Sequence, residues 1–363
     1  MHGMAALPHP SLHPTRSTTP MLLSTTQPAQ LRFDFARRTA PAVAGWVVRE
    51  EAIMGTAIRV ELWADDRRVG EAAAAAVMDE MHRIDRAMSP HKATSELSRI
   101  NREAARQRVA LTAEMAGLVA QALHYSRITD GTFDISYAAV GQLYDYRRRQ
   151  RPTPAELDAA RALVGWQGLQ FDAQARTLRF AREGMRIDLG GFAKGHAVDR
   201  AALLLRQRGI TRAYISAGGD SRVMGNRKSS KDGVTENRPW TVAIRDPRRA
   251  GEVVAVLPLE DCSVSTSGDY ERFFDDGPER VHHLLDPATG RSPQHVHSVT
   301  ILAPDGLASE ALSKAVFVLG AQRGLALVET QPGVDAVVID AHGVLHASSG
   351  LLHGAPAVRE TCQ

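Results

Sequence analysis

Between Met185 and Gly225 the chain reads MRIDLGGFAKGHAVDRAALLLRQRGITRAYISAGGDSRVMG, and its glycine pairs, carboxylates and lysine could together handle a phosphate. Gly190 and Gly191 stand before a helical pattern of Phe192, Ala193, Val198, Ala201, Leu204 and Leu205 that stops at Gly209. Adjacent glycines let backbone come close to a ligand, and the free N–H groups of a helix's first turn, with its dipole, favour an anion there. Lys194 falls in or just after that turn, and Asp188 just before it, at the end of a short predicted strand. A second predicted strand, Ala213 to Ala217, ends in Gly218, Gly219 and Asp220, so two glycine turns could face one ligand. The same glycines could instead serve only to let elements pack closely. Neither G-x-G-x-x-G nor G-x-x-x-x-G-K-[ST] is matched, which excludes a plain dinucleotide fold or P-loop.

Other groups could join this site. VSTSGDY, Val264 to Tyr270, puts small hydroxyl residues and a glycine at a strand end, suited to close contact with a polar ligand or to an ordinary turn. His282 and His283 precede Asp286, Pro287 and Gly290; a histidine can act as a general base near neutrality, or be structural, and Asp-Pro also reads as turn chemistry. Thr132, Phe133 and Asp134 could wall an aromatic ligand, with Phe133 by default a core residue. Glu310 and Lys314 are spaced i, i+4, the order that favours an ion pair on an exposed helix face.

The elements that must position these residues follow from the pattern of the chain. WVVREEAIMGTAIRVELW, Trp46 to Trp63, predicts two strands joined around Met54, Gly55 and Thr56. Helices are predicted over Val69–Met88, around Leu97 and Ile100, over Thr112–Thr129 with a Thr-x-Glu cap, and after Thr153 with Pro154 at its first position. LQFDAQARTLRF predicts a hairpin, Asn226–Pro239 a mobile polar loop, and WTVAIRDP and EVVAVLPLE strands. SVTILAP predicts a buried strand, ASEALSKAVFVLG a helix, and VDAVVID with GVLHAS a closing hairpin. The fold class expected is α+β, with mixed sheets layered with helices.

The 363 residues suit one large domain or two intimately joined lobes, here residues 43–355, with residues 1–42 read as a disordered or over-extended start and 356–363 as a tail. A net charge of +3 from scattered arginines gives no basic and aromatic patch, the run Arg147–Arg149 with Arg151 reading as a solvated face, so no nucleic-acid partner is expected. Cys262 and Cys362 lie far apart, which argues against a disulfide framework or structural zinc. Lysine occurs only at Lys92, Lys194, Lys228, Lys231 and Lys314, which makes each lysine in an ordered segment worth inspecting. No stretch is expected to span a bilayer.

Taken together and in order, MGTAIRV, DGTFDIS, DLGGFAKGHAVDRAA, SAGGDSRVMG, WTVAIRDP, STSGDYERFF, HHLLDPATGRSP and SVTILAP with its following helix resemble the ApbE family, the FAD:protein FMN transferases, from about residue 46 to 347. That resemblance implies FAD as substrate, a divalent metal, usually magnesium, and transfer of FMN to a serine or threonine hydroxyl of an acceptor flavoprotein with release of AMP. It implies flavin contacts at Met54 and Thr132, Phe133 and Asp134, cofactor binding by Asp188, Lys194 and the Leu284 backbone, and His283 as base. It puts the Gly191 carbonyl and positions 310 and 314 at the metal. Where the family usually has Asp-Ala-Leu-x-Thr, this chain has Glu310-Ala311-Leu312-Ser313-Lys314; glutamate can ligate magnesium but an ammonium cannot. Lys314 is therefore expected to face the site and to repel a divalent ion. A flavin carrier without catalysis and an FAD pyrophosphatase are the competing functions. With no lipoprotein cysteine near its start, the chain is expected to be cytoplasmic, or periplasmic or membrane-associated if its true start lies elsewhere.

Overall fold

The structure, a computed structural model, describes residues 43–354 apart from 232, 233 and 250, so the expectations for residues 1–42 and for the tail from 356 lie outside it. Strands β1 (Gly45–Ile53) and β2 (Thr56–Ala64) pair antiparallel through the two-residue turn Met54 (φ 55°) and Gly55 (φ 72°), the left-handed pair that suits a tight hairpin. Helix α1 (Arg67–Met88) follows, burying Val77, Met81, Ile84 and Met88 as the spacing predicts, then α2 (Glu96–Glu103), β3 (Val109–Ala110) and α3 (Ala113–Ile128). The α3 cap differs from expectation: Thr112 Oγ accepts the Met115 N–H at 3.2 Å, but Glu96, not Glu114, takes the Thr112 N–H. Helix α4 (Ala138–Gly141) is a single turn, and α5 (Pro154–Arg161) opens with the full capping box of Thr153 and Glu156. The predicted hairpin is β4 (Leu169–Asp172) and β5 (Thr177–Phe180), joined by β3 into a small sheet.

Helix α6 (Ala193–Gln207) leads to β6 (Ala213–Ala217) and β7 (Asp220–Met224). Then come β8 (Arg227–Lys231), β9 (Val234–Arg238), β10 (Trp240–Arg245), β11 (Val253–Leu259), β12 (Ser263–Gly268), β13 (Phe273–Asp276), β14 (Glu279–His282) and β15 (Val296–Ala303). The chain closes with α7 (Gly306–Val328), β16 (Asp335–Asp340), β17 (Leu345–Ala347) and α8 (Ser349–Gly354). Eight strands form the main sheet in the order β1-β2-β6-β7-β12-β15-β16-β17. The α+β class holds, but every pairing among the described strands is antiparallel, where mixed sheets were expected. Of the main sheet's neighbouring pairs, β1–β2, β6–β7 and β16–β17 are hairpins, β15 and β16 are joined through the broken helix α7, and β2–β6, β7–β12 and β12–β15 are joined by longer excursions of the chain.

Side-chain alternation divides the sheet into two faces. Ile58, Val60 and Leu62 of β2, Val299 and Ile301 of β15 and Val338 of β16 join the main core with α1, α6 and α7. On the other face Val223, Val264 and Leu302 pack with Trp240 and Leu259 of the β10–β11 hairpin.

Three local expectations fail for identifiable reasons. Residues Met185–Asp188 form no strand, because Asn101 takes both backbone groups of Ile187 (2.8 and 2.9 Å) and the Asp188 N–H bonds the Ile135 carbonyl at 2.9 Å. The stretch predicted as a mobile loop contains the β8–β9 hairpin, with Arg227 paired to Arg238. Finally, α7 is 23 residues long and holds an 18-residue window with a mean hydropathy of 1.4, so one described helix is long and apolar enough to cross a membrane. Its composition is that of a core helix: Ala311, Leu312, Ala315, Val316 and Phe317 are at most 1% exposed, Glu310 is fully buried, and the helix breaks at Gly320 (φ 82°, ψ 173°).

Candidate functional site

The first turn of α6 meets the first turns of α7 at two glycines. A Cβ on Gly195 would lie 2.1 Å from the Gly306 carbonyl oxygen, and one on Gly306 would lie 2.3 Å from the Gly195 oxygen, so only glycine at both positions permits this crossing. The close approach brings residues 116 apart in sequence into contact: the Lys194 ammonium bonds Glu310 Oε1, and Glu310 Oε2 accepts the Gly195 N–H at 2.7 Å. The anion expected at the α6 N-terminus is thus a carboxylate of the chain itself.

Sheet strands complete the cluster. Asp220, first residue of β7, lies 2.6 Å from Lys194 Nζ and accepts the Ser265 hydroxyl at 2.6 Å. Ser265 and Ser267, two apart on β12, share a face and stand 3.1 and 2.9 Å from Ser313 Oγ on α7, which donates to the Glu310 carbonyl at 2.9 Å. Lys314, one turn beyond Glu310, places Nζ 3.5 Å from Glu310 Oε1. Its stem lies over the glycine turn, since a Cβ on Gly191 would meet Lys314 Cε at 3.4 Å. Glu310 is fully buried and the two lysine side chains are 22% and 21% exposed, so an exposed-face ion pair is ruled out.

The charges shape one another. Burial opposes the Lys194 ammonium, but Asp220 and Glu310 outweigh it and hold its pKa above the ordinary lysine value. Asp220 is pushed up by burial and down, by more, by Lys194 and Lys314. Lys314 is lowered, because burial exceeds what Glu310 and Asp220 restore. Asp188 is raised by burial, although its carboxylate accepts the Gly190 N–H.

His283 stands in the same field. Burial, then the Arg272 guanidinium, His282, Lys314 and Lys194, push its pKa down to about 3, and its Nδ1 is buried without a partner among the described residues. Arg272 reaches the β1–β2 turn, its Nη2 3.8 Å from where a Gly55 Cβ would be, and Tyr137 feels both Asp188 and Arg272. His282 is tied into the fold instead: its ring bonds the Pro293 carbonyl at 2.9 Å and packs edge-on to Phe317.

The structure thus gathers Asp188, Gly191, Lys194, His283, Glu310 and Lys314 and adds Asp220, Ser265, Ser267, Ser313 and Arg272. Ser265 and Ser267 carried a signal, hydroxyls at strand spacing; Arg272 carried none. Other predicted residues have side chains committed elsewhere. Phe133 packs against Tyr125 and Phe192 in the core, Asp134 accepts the Ser136 and Trp166 N–H groups at 2.8 and 2.7 Å, and Thr132 donates to the Thr129 carbonyl. Leu284 is buried in the main core, and Met54 packs partly against it. Gly218 and Gly219 form the β6–β7 turn, where added Cβ atoms would meet Thr56 Oγ1 and the Thr266 oxygen at 2.7 Å, so this pair serves packing. An open depression of about 490 Å³, lined by Leu143, Arg149, Gln150, Arg151, Pro152 and Glu156, includes none of the site residues.

Residues 54–338 match the ApbE family. An FAD:protein FMN transferase of Treponema pallidum is 32% identical over 317 residues, 84% of this chain and 87% of that protein, and one of Salmonella typhimurium is 31% identical over 82% and 85%. Among solved structures, the ApbE protein of Thermotoga maritima superposes with a TM-score of 0.75 at 29% identity, covering 85% of this chain and 99% of that one. The flavin transferase ApbE of Vibrio cholerae gives 0.74 at 27%, covering 86% and 99%.

Proposed function

We propose that this chain, which belongs to the ApbE family, moves the FMN half of FAD onto a serine or threonine hydroxyl of an acceptor flavoprotein and releases AMP. The observation that carries this reading is the gathering of two ammoniums, Lys194 and Lys314, around Glu310 beside the Gly190–Gly191 turn, with the buried His283 within their field. The acceptor oxygen attacks the phosphorus bearing riboflavin, the bond from that phosphorus to the AMP half breaks, and AMP leaves with the bonding pair. The hydroxyl proton passes to His283, and the lysines hold charge that grows on the phosphoryl oxygens. Incubation with FAD and an acceptor tests it: AMP and flavin mass on the acceptor must appear together.

A histidine with a pKa of about 3 is a weak base in the free protein. The bound diphosphate brings negative charge next to the same ammoniums and raises it. His283 is neutral above its pKa and protonated below, so kcat/KM, which reports the free protein, is expected to fall only at acid pH far under the ordinary 6.5, while the kcat limb lies higher. His283→Asn is expected to lower AMP release by about 10²-fold or more with FAD affinity little changed. Coincident limbs, or a variant that releases AMP normally, would remove His283 from the reaction.

FAD is expected to bind at least about tenfold more tightly than FMN, since a diphosphate can engage both lysines and a single phosphate fewer donors. Equal affinities in calorimetry would count against the site as drawn. The magnesium implied by the family does not fit the residues here: the Glu310 oxygens are engaged by Lys194 and the Gly195 N–H, and position 314 offers a cation in place of an oxygen. That misfit favours a second reading, an FAD-binding protein without transfer, for which no AMP appears with or without acceptor. AMP released without acceptor marks the pyrophosphatase.

A further inference from the structure

The charges in this cluster already balance. Lys194 and Lys314 face Asp220 and Glu310, with Asp220 and Glu310 at most 4% exposed, and among the described residues no group of three histidine, cysteine or acidic side chains is arranged to hold a metal. A hard divalent ion needs several free oxygens, and here a further positive ion would be pressed against two ammoniums. What remains unspent is donor capacity. An ammonium carries three N–H donors. Lys194 uses two on carboxylates, whereas Lys314 has one carboxylate contact, at the long distance of 3.5 Å, and lies along Gly191 with part of its side chain exposed. Its remaining donors are available beside the glycine turn that leads into Lys194.

We infer that Lys314 makes the contact to the FAD diphosphate that a divalent cation would otherwise make, so that this chain binds FAD through fixed lysine charge and without metal. The inference rests on the transferase reading above for the identity of the ligand, but not for the preference of ammonium over metal. Glu310 then has a positioning role: its Oε1 meets both Lys194 and Lys314 while its Oε2 is held by the Gly195 N–H, at the point where α6 and α7 touch.

The test uses the full chain, freed of metal by chelation, with the variants K314M, K314R and E310D/K314T, each checked for folding by circular dichroism. In a manganese titration followed by electron paramagnetic resonance, without FAD, the native chain is expected to show no site that the double variant does not bind far more tightly. In a titration of flavin fluorescence, native FAD affinity is expected to agree within about twofold in magnesium and in chelator. K314M is expected to lose about ten- to a hundredfold in both, and K314R to keep most of the affinity in chelator. A native manganese site as tight as that of the double variant, or native FAD affinity that collapses in chelator, overturns the inference. Absence of FAD binding in every arm overturns the transferase reading instead, while the manganese titration, which contains no FAD, still decides between ammonium and metal.

Discussion

Lys194→Met is expected to destabilise the protein by about 3 kcal/mol or more and to weaken FAD binding about ten- to a hundredfold. The first effect is the larger, and it arises because the ammonium holds two carboxylates, Asp220 and Glu310, that are 4% and 0% exposed. Removing one partner of a buried pair leaves uncompensated charge, and Lys314, 3.5 Å from Glu310, replaces only part of it. Against a total stability of about 5–15 kcal/mol, such a loss is readily seen in urea unfolding. The pH dependence separates this cause from lost packing. In the native protein the Asp220 pKa lies below its unfolded value, so its contribution is present above the ordinary carboxylate range and fades as pH falls. In the variant only Lys314 and the Ser265 hydroxyl still oppose burial and that pKa moves up, so the variant loses less of its stability than the native protein as pH falls. The difference between variant and native should therefore shrink towards acid pH; a difference that stays constant with pH would mean that the lysine acts through its stem.

Gly195→Ala carries the second large effect, and two forces compete for its sign. Alanine is favoured over glycine inside a helix by about 1 kcal/mol. Here the added methyl would stand 2.1 Å from the Gly306 oxygen and 2.5 Å from its carbonyl carbon, both backbone atoms that cannot turn aside. Overpacking of this kind costs about 1–3 kcal/mol, and separating α6 from α7 also stretches the hydrogen bond from the Gly195 N–H to Glu310, worth about 1.5–3 kcal/mol to a charged acceptor. The clash wins, with a net loss of about 2–4 kcal/mol and weaker FAD binding, because the same shift parts Lys194 from Glu310. Gly306→Ala attacks the same contact from the other side, so the two changes are expected to be strongly non-additive in a double-mutant cycle. Additive losses, or a Gly195→Ala protein that melts with the native one, would show that the helices have room to spare.

Local chemistry made much of this fold legible in advance. Met54-Gly55 fixes a hairpin because left-handed backbone is needed within two residues, Thr153 with Glu156 starts a helix by bonding its own first turn, and Gly209 ends α6 at φ 77° for the same kind of reason. Such signals lie within a few residues of what they determine. Not local at all was the family resemblance carried by the order of motifs, which implied one site for Asp188, Lys194, His283, Glu310 and position 314. What no stretch contained was the pairing of charges. Lys194 reads as a phosphate contact and the α6 N-terminus as a free anion site until α7, 116 residues on, brings Glu310 to both. Glu310 and Lys314 read equally well as a surface pair until the sheet buries one and the Gly191 turn receives the other. Phe133 and Asp134 read as ligand contacts, and packing assigns their side chains to the core and to a turn. Burial and the partner of a charge depend on atoms far away in sequence, and in this chain they hinge on how closely two glycines let two helices cross.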